Sequence, residues 1–255
     1  MNSKSDKITL VLREKKDAEI NSNYLNQNGV NSHPFPITTL IYNNYANLEI
    51  LKYKYTYTII TSPKAIKVVN NIVLNRKNGL LTSSRVFSIG METKKRLNEV
   101  GFFNVFSANN NSKSLYDLVL KNTNKEDYGL WVAAKDRSVD LQDMLKKKNR
   151  NIELLEAYKT EPLLTLANPI IYYLEKYSHI DLIIFSSRNV LIAKEILENY
   201  NLFKEVNRKS TLFVNSSNIA IKAKEIGWSK INVIKKNFTK DILDHIINLS
   251  KQVGN

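Results

Sequence analysis

Apolar residues along this chain fall into short runs, and most runs are followed by a stretch with helical spacing. ITLVL (8–12), YTIIT (57–61), RVFSIG (85–90), FFNVFSA (102–108), GLWVAAK (129–135), IDLIIFSS (180–187), STLFVNSS (210–217) and KINVIK (230–235) have strand length and are rich in Ile, Val, Leu and Phe. Helical patterns cover 18–29, a stretch starting near Lys64, and 91–101. They continue over 112–123, 139–149, 169–178, 189–200, 219–227 and 241–252. Gly29 is placed to end the first helix, and Ser112 or Ser114 to cap the one at 112–123. HPFPITTLIY (33–42) must be extended, because Pro34 and Pro36 exclude helix, and NIELLEAYKTEP (151–162) reads as a long extended run stopped by Pro162. Strands alternating with helices of this length predict parallel sheets covered on both faces.

The pattern occurs twice. YTIITSPKAIKVV matches DLIIFSSRNVLIAK, and VFSIGMETKKRLNEVG matches LFVNSSNIAIKAKEIG. Ser62 and Ser187 are 125 residues apart, Gly90 and Ser216 126, and Gly101 and Gly227 126. That period is too long for a solenoid unit and predicts two similar, flavodoxin-like α/β domains. The extended runs at 33–42 and 151–162 bracket the middle of the chain and read as two linker strands. The expected division is therefore a discontinuous domain of residues 1–36 plus 163–255, and an inserted domain of residues 40–155, with a cleft between them.

Ligands of parallel α/β sheets bind beyond the carboxyl ends of the strands, where helix N-termini offer free N–H groups to anions. Thr61-Ser62 and Ser186-Ser187 stand at such ends, with Lys64 and Arg188 as one cation each. Simple helix capping explains any single turn of this kind. A duplicated set points to binding.

Charge changes this picture little. The net charge of +14 invites a polyanion, but the lysines are spread along the chain, and the one tight cluster, Lys146–Arg150, falls at an expected helix end that suits cations. No zinc-finger spacing, RNP-like strand or basic heptad supports nucleic acid as partner. The absence of cysteine excludes disulfides and thiolate chemistry and fits a reducing cytosol. No run is long enough to span a membrane, and MNSKSDK lacks the apolar core of a secretory signal. His33, His179 and His245 have no metal-ligand spacing, Ser62 lacks a nucleophile-elbow context, and there is no phosphate-binding glycine motif.

Taken in order, IITSPKAI, SIGMETKKRLNEVGFFNV, WVAAKDRSVDLQDML, ELLEAYKTEP, IDLIIFSSRNV and NIAIKAKEIGWSKINVI resemble the uroporphyrinogen-III synthase family over almost the whole chain. LVLREKKDAEINSNYLNQNG is similar to that family's opening strand and helix. The resemblance implies two α/β domains joined by a two-stranded ladder, and a cytoplasmic, monomeric lyase without cofactor or metal. Its substrate and partner would be hydroxymethylbilane, a linear tetrapyrrole with eight carboxylates, with no nucleic acid or membrane involved. The enzyme would remove the terminal hydroxyl, invert ring D and close the macrocycle through a spiro-pyrrolenine. Tyr158 matches the family's tyrosine on the returning linker strand, the candidate proton donor; a strand tyrosine packed at a domain junction has the same signature. The substrate-binding set carried over is Arg13, Thr61, Ser62, Lys64, Thr93, Ser186, Ser187 and Asn218. Ile219 stands where the second copy should repeat Thr93, Ser216 replaces a glycine, Arg188 replaces a proline, and no proline follows Arg13. A two-lobed protein that clamps an anionic small molecule without chemistry is the second reading the repeat allows.

Overall fold

The structure, a computed structural model, describes residues 6–43, 53–76, 84–109, 111–137, 139–164, 169–235 and 239–253. Residues 1–5, on which the absence of a leader was partly read, lie outside this set. The chain forms two compact units, one of residues 1–39 with 161–255 and one of residues 40–160.

The first unit is built on a five-stranded parallel sheet. Its strands are β1 (Lys7–Leu12), β2 (Ser32–Pro34), β9 (His179–Ile184), β10 (Ser210–Val214) and β11 (Ile231–Val233), in the order β2-β1-β9-β10-β11. Side chains alternate between faces along a strand, and here both faces are apolar. Leu10, Leu12, Leu182, Ile184, Leu212 and Val214 pack under α6 (Pro169–Lys176), α7 (Ser187–Asn199), α8 (Phe203–Lys209) and α9 (Ser217–Glu225). Val11, Ile183 and Phe213 face the other way, under α1 (Lys15–Gln27) and α10 (Thr239–Val253). Leu10 is fully buried, and truncating such a side chain to alanine costs about 2–5 kcal/mol.

The second unit repeats this plan. Its strands are β4 (Tyr57–Ile60), β5 (Arg85–Ile89), β6 (Val105–Ala108), β7 (Tyr128–Ala134) and β8 (Asn151–Pro162), in the parallel order β8-β7-β4-β5-β6. Ile60, Val86, Leu130 and Val132 pack under α2 (Pro63–Arg76) and α3 (Met91–Glu99). Ile59, Phe87, Trp131 and Ala133 pack under α4 (Ser112–Asn122) and α5 (Leu141–Lys146). The repeat of 125–126 residues maps β4 onto β9 and β5 onto β10. The remaining strands differ in chain order: β1 and β2 open the first unit, whereas β7 and β8 close the second. In both sheets the strand order reverses beside the first repeat strand, between β1 and β9 and between β4 and β7.

Several local expectations are corrected. The run at 33–42 splits in two: β2 joins β1 at a sheet edge, where Pro34 needs no ladder donor, and β3 (Thr38–Tyr42) lines β8. Hydrogen bonds Leu163 N to Ile37 O and Asn43 N to Ala157 O run in opposite chain senses, so this edge is antiparallel. The strand expected at 102–108 begins only at Val105. Phe102 instead closes α3: Phe102 N donates to Leu97 O at 3.0 Å, Gly101 N donates to Asn98 O at 3.1 Å, and the Phe102 ring is buried. This left-handed helix end needs φ near +94° at Gly101, which glycine adopts without cost. The cap of α4 is Asn111, whose side chain accepts from Ser114 N at 2.8 Å, in place of Ser112 or Ser114. The helix expected over 139–149 is trimmed to α5: Asp140 caps its start, and beyond its end Asn149 turns left-handed at φ 56° with its N–H donating to Lys146 O at 2.9 Å. The short helix α8 was not foreseen.

Candidate functional site

In the unit of residues 40–160, β4 ends in Thr61-Ser62-Pro63 and α2 begins at Pro63, the position where proline's missing N–H costs nothing. Ser62 Oγ accepts from Lys64 N at 3.3 Å, and Ala65 N donates to Ser62 O at 3.1 Å. Thr61, Ser62 and Lys64 are half-buried in this one turn. The neighbouring turn after β5 is different. Gly90 opens α3 with φ 76° and no side-chain cap, so the first N–H groups of α3 remain available as donors. Thr93 lies in that first helical turn, buried to 2 % exposure.

Tyr158 reaches the same region through an irregularity in β8. The β7–β8 ladder pairs Ala133 with Glu156 but Ala134 with Tyr158, so Ala157 is an extra residue at a bulge. Strict alternation would put Leu155 and Ala157 on one face and Tyr158 on the other. The bulge instead brings Leu155, Ala157 and Tyr158 into the same cluster, on the face covered by α2. Lys135 N donates to Tyr158 O at 2.7 Å and holds the backbone beyond the bulge. Burial pushes the Tyr158 phenol above its ordinary pKa, and a hydrogen bond from the Ser62 hydroxyl opposes that shift. Tyr158 is therefore a protonated phenol at neutral pH. Its ring packs 6.0 Å from that of Tyr42, over which the Lys67 ammonium sits at 4.6 Å.

In the other unit, Ser186 and Ser216 are helix caps: Ser186 Oγ accepts from Asn189 N at 3.1 Å, and Ser216 Oγ accepts from Ile219 N at 3.4 Å. Capping does not consume these groups. A hydroxyl that accepts through a lone pair keeps its O–H to donate elsewhere. Ser187 is half-buried at the start of α7, and Asn218 is exposed in the first turn of α9. The Asn215 side-chain oxygen, in the turn after β10, is buried and has no hydrogen-bond partner among the described residues.

Arg13 follows β1 at the strand-order reversal. Its guanidinium lies 4.2 Å from the Phe185 ring centroid, donates to Thr239 Oγ1 at 3.5 Å and pairs with Asp17 at 3.4 Å. Burial lowers its pKa, opposed by Asp17 and Glu14. Arginine remains charged regardless, so this is a largely desolvated cation beside the Ser186 turn.

Thus Thr61, Ser62, Lys64 and Tyr158 converge in one unit, and Arg13, Ser186 and Ser187 lie at adjoining strand ends of the other. Phe185, Asn215 and the Lys67–Tyr42 stack were not singled out from sequence. Among the described residues no group of three or more His, Asp or Glu side chains is arranged to hold a metal. No helix among them is long and apolar enough to cross a membrane.

Two parallel-sheet units with hydroxyl-bearing turns at their strand ends define a two-domain α/β protein. The family model described as uroporphyrinogen-III synthase HemD matches residues 21–244, and the chain belongs to that family. Among solved structures it is similar to uroporphyrinogen-III synthetase from Helicobacter pylori, with 15% identity, 94% of this chain and 99% of that chain covered, and a TM-score of 0.64. It is also similar to a mutant uroporphyrinogen III synthase from the extremely thermophilic bacterium Thermus thermophilus, with 13% identity, 95% and 99% coverage, and a TM-score of 0.57. At these identities the structural likeness speaks for the fold. No curated protein matches the chain.

Proposed function

We infer that this protein is a carbon–oxygen lyase that converts hydroxymethylbilane to uroporphyrinogen III, with loss of water and inversion of ring D. The observation that carries the reading is the family match over residues 21–244. In the reaction, the terminal C–O bond breaks as the hydroxyl takes up a proton and leaves as water. Electron density from the pyrrole nitrogen stabilises the resulting methylene cation. Ring D then attacks that carbon through its already substituted position, giving a spiro-pyrrolenine that rearranges and closes. A ring proton lost at the end balances the proton consumed at the start.

Within this scheme Tyr158 gives its phenolic proton to the departing hydroxyl and recovers one after ring closure. Its buried, protonated state and its contact with Ser62 support that role. Thr61, Lys64 and the uncapped start of α3, which includes Thr93, donate to substrate carboxylates in one unit. Arg13, Ser186, Ser187 and Asn218 do so in the other. Once the cation forms, the rest of the catalysis is positional, since holding a flexible chain in a reactive geometry removes much of the entropic barrier. The proposal includes action as a monomer in the cytoplasm, with no cofactor and no nucleic-acid partner.

The test is turnover of freshly generated hydroxymethylbilane by the purified protein, with separation of isomers I and III. Predominant isomer III is expected. Saturable binding of the bilane with only isomer I at the spontaneous rate would leave a binding protein and remove the enzyme.

A further inference from the structure

Tyr158, the proton donor of the proposed reaction, owes its direction to one extra residue in β8. Up to Glu156 the strand pairs regularly with β7; Ala157 is then inserted, and Ala134 faces Tyr158. Side chains alternate along a strand, so a ladder without the insertion would turn Tyr158 to the face of Trp131 and Ile152, away from α2. A bulge disrupts the ladder locally, and its backbone groups need other partners.

Both strands that flank β8 supply them. On one side lies the end of β3. The Asn43 side-chain amide donates to Glu156 O at 2.7 Å, and Asn43 N donates to Ala157 O at 3.4 Å. One residue thus holds the carbonyl of the inserted Ala157 and the carbonyl before it. Its chain neighbour Tyr42 supplies the ring packed against that of Tyr158. On the other side lies the segment after β7. Arg137 Nη1 pairs with Glu156 Oε1 at 2.9 Å and donates to Ala134 O at 3.3 Å and to Lys135 O at 3.2 Å. It therefore joins the last residue before the bulge to the β7 residue that faces Tyr158. Beyond the bulge the shifted register is fixed by Lys135 N on Tyr158 O and by Asp136 Oδ2, which accepts from Thr160 N at 3.2 Å.

All these groups belong to the unit of residues 40–160. Asn43 is exposed and touches β8 through its backbone carbonyls. The Arg137 guanidinium lies 5.5 Å from the centroid of the Trp131 ring, which is on the sheet face opposite Tyr158, so it acts on the phenol only through the strand. We propose that Asn43 and Arg137 are positioning residues for Tyr158: they lock the Ala157 bulge, and with it the direction of the phenol toward Ser62 and the substrate. This inference rests on the reading of Tyr158 as proton donor.

Two measurements on the full-length protein test it. The first needs no turnover: amide hydrogen exchange at Lys135, whose N–H donates to Tyr158 O beyond the bulge. Asn43→Asp keeps the size of the side chain but leaves only acceptors opposite the Glu156 carbonyl. Asn43→Asp and Arg137→Met should each speed exchange at Lys135 about fivefold, the weight of one hydrogen bond, while Leu130 and Val132 in the same strand keep their native rates. The second is kinetic. A donor held slightly off its line loses rate and not affinity, so each variant should lower kcat for isomer III by about three- to tenfold with KM nearly unchanged. In the Tyr158→Phe background neither should lower kcat further, because no phenolic proton is left to aim. The proposal is overturned if Lys135 exchanges at its native rate in both variants, if exchange quickens alike throughout the sheet, or if the loss of kcat is undiminished in the Tyr158→Phe background. The two readings fail differently. Native rates at Lys135 with isomer III still formed remove the lock alone; selective quickening at Lys135 with only isomer I from the native chain removes the enzyme, and with it the role in catalysis.

Discussion

Replacing Tyr158 by phenylalanine removes one oxygen and leaves the ring in place. The ring packs with Leu155 and Ala157 and lies 6.0 Å from Tyr42, so the cluster under α2 should survive intact. The lost contact with the Ser62 hydroxyl is one neutral hydrogen bond, whose net weight is about 1 kcal/mol, and removing a buried phenolic oxygen recovers part of that. Stability should therefore change by no more than about 1 kcal/mol. Turnover should fall far more. General-acid assistance is typically worth about 100- to 10,000-fold, and a hydroxymethylpyrrole loses water easily, so the low end of that range is expected. The loss should appear in kcat more than in KM, because the proton moves only in the transition state. Initial rates on fresh hydroxymethylbilane, with urea unfolding of the same samples, separate the two effects. Ser62→Ala combined with Tyr158→Phe should cost less than the sum of the single changes, since the hydroxyls act on each other. A folded Tyr158→Phe protein with full turnover would show that Tyr158 only packs, and that catalysis rests on positioning alone.

Thr61→Ala should raise KM several-fold and leave kcat nearly unchanged, since a turn hydroxyl holds a carboxylate equally in ground and transition states; steady-state kinetics decide this. Gly129→Ala should destabilise the protein by about 1–3 kcal/mol in urea melts, because a Cβ there would clash with the fully buried Tyr57 side chain, 2.1 Å from its Cζ. Asp127 titrates below its ordinary value near 3.8: burial works against its charge, but Asn124 N–H, the Thr56 hydroxyl and the Arg85 guanidinium outweigh it. A lowered folded pKa stabilises the fold above the unfolded value and is lost as pH falls through the folded one. Asp127→Asn should therefore be less stable than the native chain at pH 7, with the gap closing below pH 3.8; equal stability of the two at pH 7 would contradict it.

Much of the fold was legible because both faces of both sheets are covered, which turns each strand into a short continuous apolar run such as DLIIF. The duplicated offset gave the shared plan of the units. It could not give the different chain order of their outer strands, because β1 and β2 have no recognisable copy in β7 and β8. The split of 33–42 between two sheets was hidden for a related reason: Pro34 and Pro36 impose an extended chain but not its partner. Helix α8 was missed because seven residues carry too little periodicity.

At the site, the turns were legible and their geometry was not. TSP and SSR announce helix starts, but the sequence does not say that Ser62 faces Tyr158. That contact depends on the bulge at Ala157. The sequence does not mark it: Ala157-Tyr158 is an adjacent apolar pair, but so is Leu154-Leu155, where the ladder is regular. Arg13 was chosen by resemblance. Its stacking on Phe185 comes from the pairing of β1 with β9, two strands far apart in the chain.

The measurement that bears most directly on the central claim is the isomer ratio of the cyclised product. Hydroxymethylbilane closes spontaneously without inverting ring D, so isomer III is the signature of an enzyme that directs attack through the substituted carbon. The account predicts predominant isomer III, formed faster than the spontaneous closure and in proportion to the amount of protein added. Isomer I alone, at a rate independent of the protein, would contradict it.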